Sequence, residues 1–311
     1  MPQRTFVVVP VLFTLSLFTS PLTAADARSG TYVTAQVRAD SLRQASFAPR
    51  EAPNSAAQAL TASDALVFTA PPRESAEEGA RRFGPVAAHL SEVLGRKVIY
   101  RHPGTWGAYQ AEMLKGNYDL VFDAPHFNGW RIERLGHNVL AKVPGDYTYT
   151  IFTRKDNARV QDIKQLAGHK ICAHAPPHLG TLVMWNQFDN PARQPTIIVT
   201  SGYKQVYEAL MAGRCEAGVL SVKHLKKYDP DNIHTRVVFK NRPLPQQAFS
   251  AGPRLTADEQ ARVGSALLAL AGKGPLQAMG EAYGFSAGLV GARNDEYAGL
   301  GAYLKNEWGY Y

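Results

Sequence analysis

His126, His174 and His178 are the side chains best suited to chemistry in this chain, since a neutral imidazole ligates metals and a protonated one holds anions. The His174-x-x-x-His178 spacing matches a helical metal pair, but Pro176 and Pro177 prevent a regular helix between the two. Read singly, each histidine is also explained as a surface or supporting group. Arg73, just beyond an apolar run, can meet an anionic head group or stay a solvated charge. The two cysteines, Cys172 and Cys215, can bridge in an oxidising compartment, closing a loop of roughly 44 residues worth about 4 kcal/mol, or serve as two small buried hydrophobes. Other chemistries lack their residues: there is no His-Glu-x-x-His, phosphate-binding Gly-Lys loop, dinucleotide glycine fingerprint, haem-attachment motif or paired Cys-x-x-Cys. Cys172 and His174 would lie on one face of a strand, too far apart to act as a nucleophile and its base. No enzymatic activity and no cofactor are expected.

These residues need a scaffold, and 311 residues, more than one domain of about 150 usually holds, favour a two-lobed body. With 45% hydrophobic, 10% aromatic and 19% charged residues, the chain can build a core. The net charge of +8 is scattered, and its densest cluster, Lys223, Lys226 and Lys227 around His224, is too short to track phosphates. It reads as a solvated helix face, and nucleic acid is not an expected partner. Arg4, the apolar run from Phe6 to Phe18 and the small residues to Ala27 read as an export signal cleaved within residues 24–27. That run is too short to span a bilayer and no later one is long enough, so the mature protein is expected to be soluble outside the cytoplasm.

Residues 28–63 read as a flexible leader rich in Ala, Ser, Arg and Gln. From Leu66, apolar runs alternate with helical patterns. Strands are predicted at 66–69, 97–100 and 118–122, with helices at 74–94 and 105–115 between them. The pattern recurs with strands at 149–153, 169–174, 196–200, 216–220 and 237–240 and helices at 160–166, 179–188 and 203–211. A strand at 246–251 and a helix at 256–271, opened by the Thr256 and Glu259 capping box, follow. Alternation of this kind implies parallel sheet in an α/β fold.

Five segments in this order resemble the periplasmic solute-binding proteins of the phosphate, phosphite and phosphonate group of ABC transporters. They are Phe83 to Gly95, Gly116 to Pro125, Phe152 to Asp156, Asp162 to Lys170 and Ala209 to Val219. The resemblance implies the type II periplasmic binding protein fold: α/β, two lobes, a hinge and a central cleft. It divides the chain into a first lobe over 64–148, a second over 149–243 and a return to the first lobe over 244–311. It implies a monomer that takes a small, oxyanion- or phosphonate-like molecule by hinge closure. The partner would be a membrane permease of an ABC transporter, or a membrane histidine kinase if the protein is a sensor.

The resemblance also nominates a site. Ligands in such folds lie where strand C-termini meet helix N-termini, which makes the loop His174 to Thr181, with His178 and Gly180, the prime candidate. The family's Ser-Thr-Ser-Gly hydroxyls are replaced here by Pro176, Pro177, His178 and Leu179. Trp106 stands where a ligand-contacting tyrosine is frequent, or is a core tryptophan, and Thr105 beside it joins the candidate ligand residues. His126 and Phe127 precede Asn128, where the family has tyrosine, and Tyr203 lies near a family histidine. Tyr149, near the first crossing between lobes, and Ser221 complete the set, with Tyr147 lining the cleft or packing the hinge. Such a pocket, rich in rings and imidazoles, suits a ligand larger, flatter or softer than phosphate, or a bound metal held by cleft histidines.

Overall fold

The computed structural model describes residues 65–305 and residue 307. The export-signal and leader readings lie outside the described residues.

The first lobe begins with β1 (Leu66–Thr69), α1 (Ala76–Leu94), β2 (Val98–Tyr100), α2 (Trp106–Leu114), β3 (Leu120–Asp123), α3 (Pro125–Leu135) and β4 (Asn138–Lys142). A two-residue strand, β5 (Asp146–Tyr147), leads into the second lobe. That lobe holds β6 (Tyr149–Arg154), β7 (Lys170–Ala173), α4 (Leu179–Trp185), β8 (Thr196–Val199), α5 (Tyr203–Met211), β9 (Ala217–Ser221), α6 (Val222–Tyr228) and β10 (Thr235–Lys240). The chain returns through β11 (Leu244–Pro245) to β12 (Ala248–Ala251), α7 (Ala257–Ala269), α8 (Gln277–Tyr283), β13 (Val290–Gly291) and α9 (Asn294–Tyr297).

The predicted parallel core is present but framed by antiparallel strands. β1 runs parallel to β2 and β3, and β7 parallel to β8 and β9. β12 enters the first sheet from the other lobe and therefore pairs antiparallel with both β3 and β4; β6 pairs antiparallel with β9 and β10. The sheet orders are β13-β4-β12-β3-β1-β2 and β10-β6-β9-β7-β8. β5 and β11, the two crossing segments, pair with each other, Leu244 opposite Tyr147. This short ribbon has few hydrogen bonds to hold it flat, as a hinge requires.

Local chemistry explains the elements. β1, β3 and β12 are buried along their length, which is why they read as continuous apolar runs. Helix α1 starts two residues later than predicted because Ser75 caps it, accepting from Glu78 N, and it ends at Gly95 in the left-handed region. Its Phe83, Val86, Leu90 and Leu94 pack on the sheet with Val263 and Leu267 of α7, behind the Thr256 capping box. The predicted helix at 160–166 is only a 3-10 turn, Ile163–Leu166. Cys172 and Cys215 are joined in a disulfide across the second lobe, beside Phe152, Val206 and Leu210.

Apolar contacts also cross between lobes. Leu182 of α4 packs with Val67, Tyr109, Phe127 and Trp130 of the first lobe, and Leu304 joins this group. Tyr297 and Leu300 pack with second-lobe side chains including Leu179. The C-terminal turn at Leu300–Leu304 lies so close to α3 that a Cβ on Gly129 would sit 2.7 Å from Tyr297 O and one on Gly301 2.9 Å from Trp130 Cα. Glycine is required at both positions for backbone to meet backbone.

Candidate functional site

The β3–α3 junction sets one wall. Asp123 ends β3, its side chain fully buried, and its carboxylate takes two guanidiniums: Arg73 Nη2 at 3.0 Å on Oδ1 and Arg131 at 3.1 Å on Oδ2. The Tyr109 hydroxyl donates to the same Oδ2 and receives a hydrogen bond from Arg131. One negative charge thus meets two positive ones, leaving this wall net positive. Burial, the largest single influence, opposes the Arg73 charge, but the Asp123 carboxylate together with Tyr283, Tyr147 and Tyr109 raises the guanidinium pKa overall. Glu74 is engaged elsewhere, by Arg82 at 2.6 Å and the Tyr283 hydroxyl at 2.5 Å.

His126, in the first turn of α3, reaches across to the second lobe, its Nε2 3.0 Å from Pro177 O. A carbonyl only accepts, so Nε2 carries the proton. Burial, the largest influence, pushes the His126 pKa down to about 4, against the pull of Asp123 and the Pro177 carbonyl. The ring is therefore neutral at pH 7 and its Nδ1 is a bare acceptor, buried without a hydrogen-bond partner. The Nδ1 atoms of His174 and His178 are likewise buried without partners. Burial lowers the pKa of both, helped by their neighbours: His224 for His174, and His174, His126, Arg73 and His224 for His178.

His174 follows β7 and His178 caps α4 without a side-chain cap bond. Their rings stack with centroids 4.7 Å apart, and Tyr203, at the start of α5, packs on His174 at 4.8 Å. Tyr149 meets His178 edge-on at 5.6 Å. Gly180 lets α4 come this close, since a Cβ there would lie 2.8 Å from the Tyr149 ring. Arg73 is within electrostatic reach of Tyr147, Tyr149, Tyr203 and His178. Burial pushes the Tyr147 pKa up to about 12, keeping its hydroxyl protonated.

The nominated residues thus divide. Arg73, His126, Tyr149, His174, His178, Gly180 and Tyr203 come together. Phe127 is buried core, between Trp106, stacked at 6.3 Å, and Tyr109. Trp106 packs against the same core. Thr105 caps α2, accepting from Ala108 N at 3.1 Å. The Thr181 hydroxyl donates to His174 O at 2.6 Å, and Ser221 caps α6 with its Oγ 2.8 Å from His224 Nδ1. These hydroxyls are already engaged. Asp123, Arg131, Tyr109, Tyr283 and His224 belong to the arrangement and were not singled out as site residues. An acid at a strand C-terminus just before Ala-Pro was the available signal for Asp123. The lysine-rich surroundings of His224 hid it, since Tyr203 stacks on its ring at 3.8 Å.

Among the described residues no group of three or more His, Cys, Asp and Glu side chains is placed to hold a metal ion. The string Gly284-Phe285-Ser286-Ala287-Gly288 has the spacing of a hydrolase nucleophile turn but follows helix α8, not a strand, and Phe285 is buried in the core.

Two mixed α/β sheets joined by a paired crossing, with a positive wall facing imidazoles and tyrosines, define a two-lobed binding protein. The family model for the phosphonate periplasmic substrate-binding protein of ABC transporters matches residues 68–297, and the chain belongs to that family. It is a substrate-binding protein that captures a small ligand and is not an enzyme. The fold is similar to XAC2383 from Xanthomonas citri bound to ATP, with TM-score 0.60 and 13% identity over 78% of this chain and 98% of that one. It is also similar to PhnD1 from Prochlorococcus marinus in complex with methylphosphonate, with TM-score 0.57 and 13% identity over 78% and 98%. A binding-protein component of an ABC phosphonate transporter from Pseudomonas aeruginosa gives TM-score 0.52 and 10% identity over 75% and 83%. No curated protein matches the chain by sequence. Among the described residues no helix is long and apolar enough to cross a membrane.

The neutral imidazoles make stability depend on acid. A histidine whose folded pKa lies below its unfolded value of about 6.5 binds more protons when unfolded, so stability is fully present above that value and lost as pH falls. For His126, held at about 4, the loss by pH 4 is about 3 kcal/mol. Urea midpoints should fall between pH 7 and pH 4.5, and His126→Gln should flatten the slope; an equal slope in both proteins would refute the assignment.

Proposed function

We propose that this protein captures a small anion of the phosphonate class between its lobes in the periplasm, as a monomer, and delivers it to the permease of an ABC transporter. The observation that carries the reading is the unequal charge at Asp123, where two guanidiniums share one carboxylate and Arg73 is within electrostatic reach of the opposite lobe. A ligand oxyanion supplies the missing negative charge and accepts from Arg73, a charge-assisted bond stronger than a neutral one. The apolar contacts across α3 and α4 persist while the β5–β11 ribbon flexes. Closure is favoured because the anion touches both lobes only in the closed form. The binding-protein membership and the fold shared with a methylphosphonate complex support the same class of ligand.

Thermal shift with methylphosphonate, phosphate, sulfonates and carboxylates tests the reading. A true ligand at about 100-fold excess over its Kd adds about 2.7 kcal/mol to stability, so the melting temperature rises with dose. Flat melting curves with every anion at millimolar concentration would refute it.

A further inference from the structure

We infer, resting on the anion-capture reading, that the ligand carries a planar aromatic or heteroaromatic ring beside its anionic group. Six rings of the second lobe and its hinge strand are in unbroken contact. His224 lies on Tyr203 at 3.8 Å, Tyr203 on His174 at 4.8 Å, His174 on His178 at 4.7 Å, His178 on Tyr149 at 5.6 Å and Tyr149 on Tyr147 at 5.7 Å. The first, third and fifth contacts are stacked, at 19°, 27° and 17°.

Packing alone does not require this row. Its members come from separate elements, and only Tyr149 is buried. His174, His178, His224 and Tyr147 are half-buried and Tyr203 is 38% exposed, so the row is not sealed inside the core. One end of the row, Tyr147, is within electrostatic reach of Arg73. An anion on Arg73 therefore lies toward one end of the row, and the nearby hydroxyls of Thr181 and Ser221 are already bonded within the protein. An alkyl phosphonate would engage the charge and leave the rings unused. A flat ring would stack on them, an interaction tolerant of ring type because each ring has a π face. The bare Nδ1 of His126 adds an acceptor for a ring N–H or hydroxyl.

The test is calorimetry with methylphosphonate, cyclohexylphosphonate and phenylphosphonate, equal in charge and differing in bulk and planarity, on wild type, Tyr203→Ala and Tyr203→Phe. Phenylphosphonate should bind about tenfold or more tighter than either of the others. That preference should collapse below threefold in Tyr203→Ala and survive in Tyr203→Phe, which keeps the ring. Equal affinity for phenyl and cyclohexyl compounds, or for phenyl and methyl compounds, overturns the ring inference while leaving anion capture standing. Failure of all three to bind overturns both.

Discussion

Arg73→Met should weaken phosphonate capture by about 100-fold, the largest effect of any single change in the cleft, because truncating one partner of a desolvated charge pair costs 2–5 kcal/mol. The protein should still fold. Asp123 keeps Arg131 at 3.1 Å and the Tyr109 hydroxyl, so no buried charge is left alone when Arg73 is removed. Calorimetric affinity checks the binding and circular dichroism the fold. A variant that folds and binds within threefold of wild type would show that the anion is held elsewhere. Arg73→Lys retains the charge but not the fork, and should recover only part of the loss.

The second large effect concerns stability. Asp123→Ala strips the partner from Arg131, whose side chain is only 1% exposed, and an uncompensated buried charge costs about 3–5 kcal/mol. That is a large share of the 5–15 kcal/mol that holds a typical domain together. Urea unfolding should show the midpoint falling accordingly, and Asp123→Asn, which keeps an acceptor for Tyr109, should fall less. A loss below about 1 kcal/mol for the alanine variant would mean that Arg131 finds water or another acceptor, and that the buried network is not what braces α3.

Where pattern and structure agree, burial follows hydropathy. Helix α5 has the predicted bounds because Val206, Ala209 and Leu210 give it one clear apolar side, and α7 starts where its capping box dictates. Helix α3 was not predicted, although Pro125 at its first position and Gly136 beyond its end carry the usual signature. Its buried face includes His126, Asn128 and Arg131, which hydropathy reads as surface. These side chains are inside because they are bonded there: Asn128 to Asp123 O and Ala248 O, Arg131 to Asp123. The direction of β12 could not be read either, since alternation does not record from which side a returning chain enters a sheet. The same division runs through the site. The loop His174 to Thr181 was nominated by its histidines and by the family resemblance, whereas the Asp123 cluster joins positions 8, 14 and 50 residues away and exists only once α2, α3 and the segment after β1 are assembled.

The glycine contact between α3 and the C-terminal turn has a mechanical consequence. With Gly129 and Gly301 in backbone contact and Leu182 and Leu304 packed into one apolar group, that side of the molecule acts as a fulcrum. Parting the lobes there would expose a large apolar area, whereas the His126 bond to Pro177 and Lys223, whose Nζ lies 3.5 Å from where a Cβ on Gly284 would sit, are polar contacts between the lobes. Separating the lobes at these polar contacts exposes less apolar area than separating them at the glycine contact.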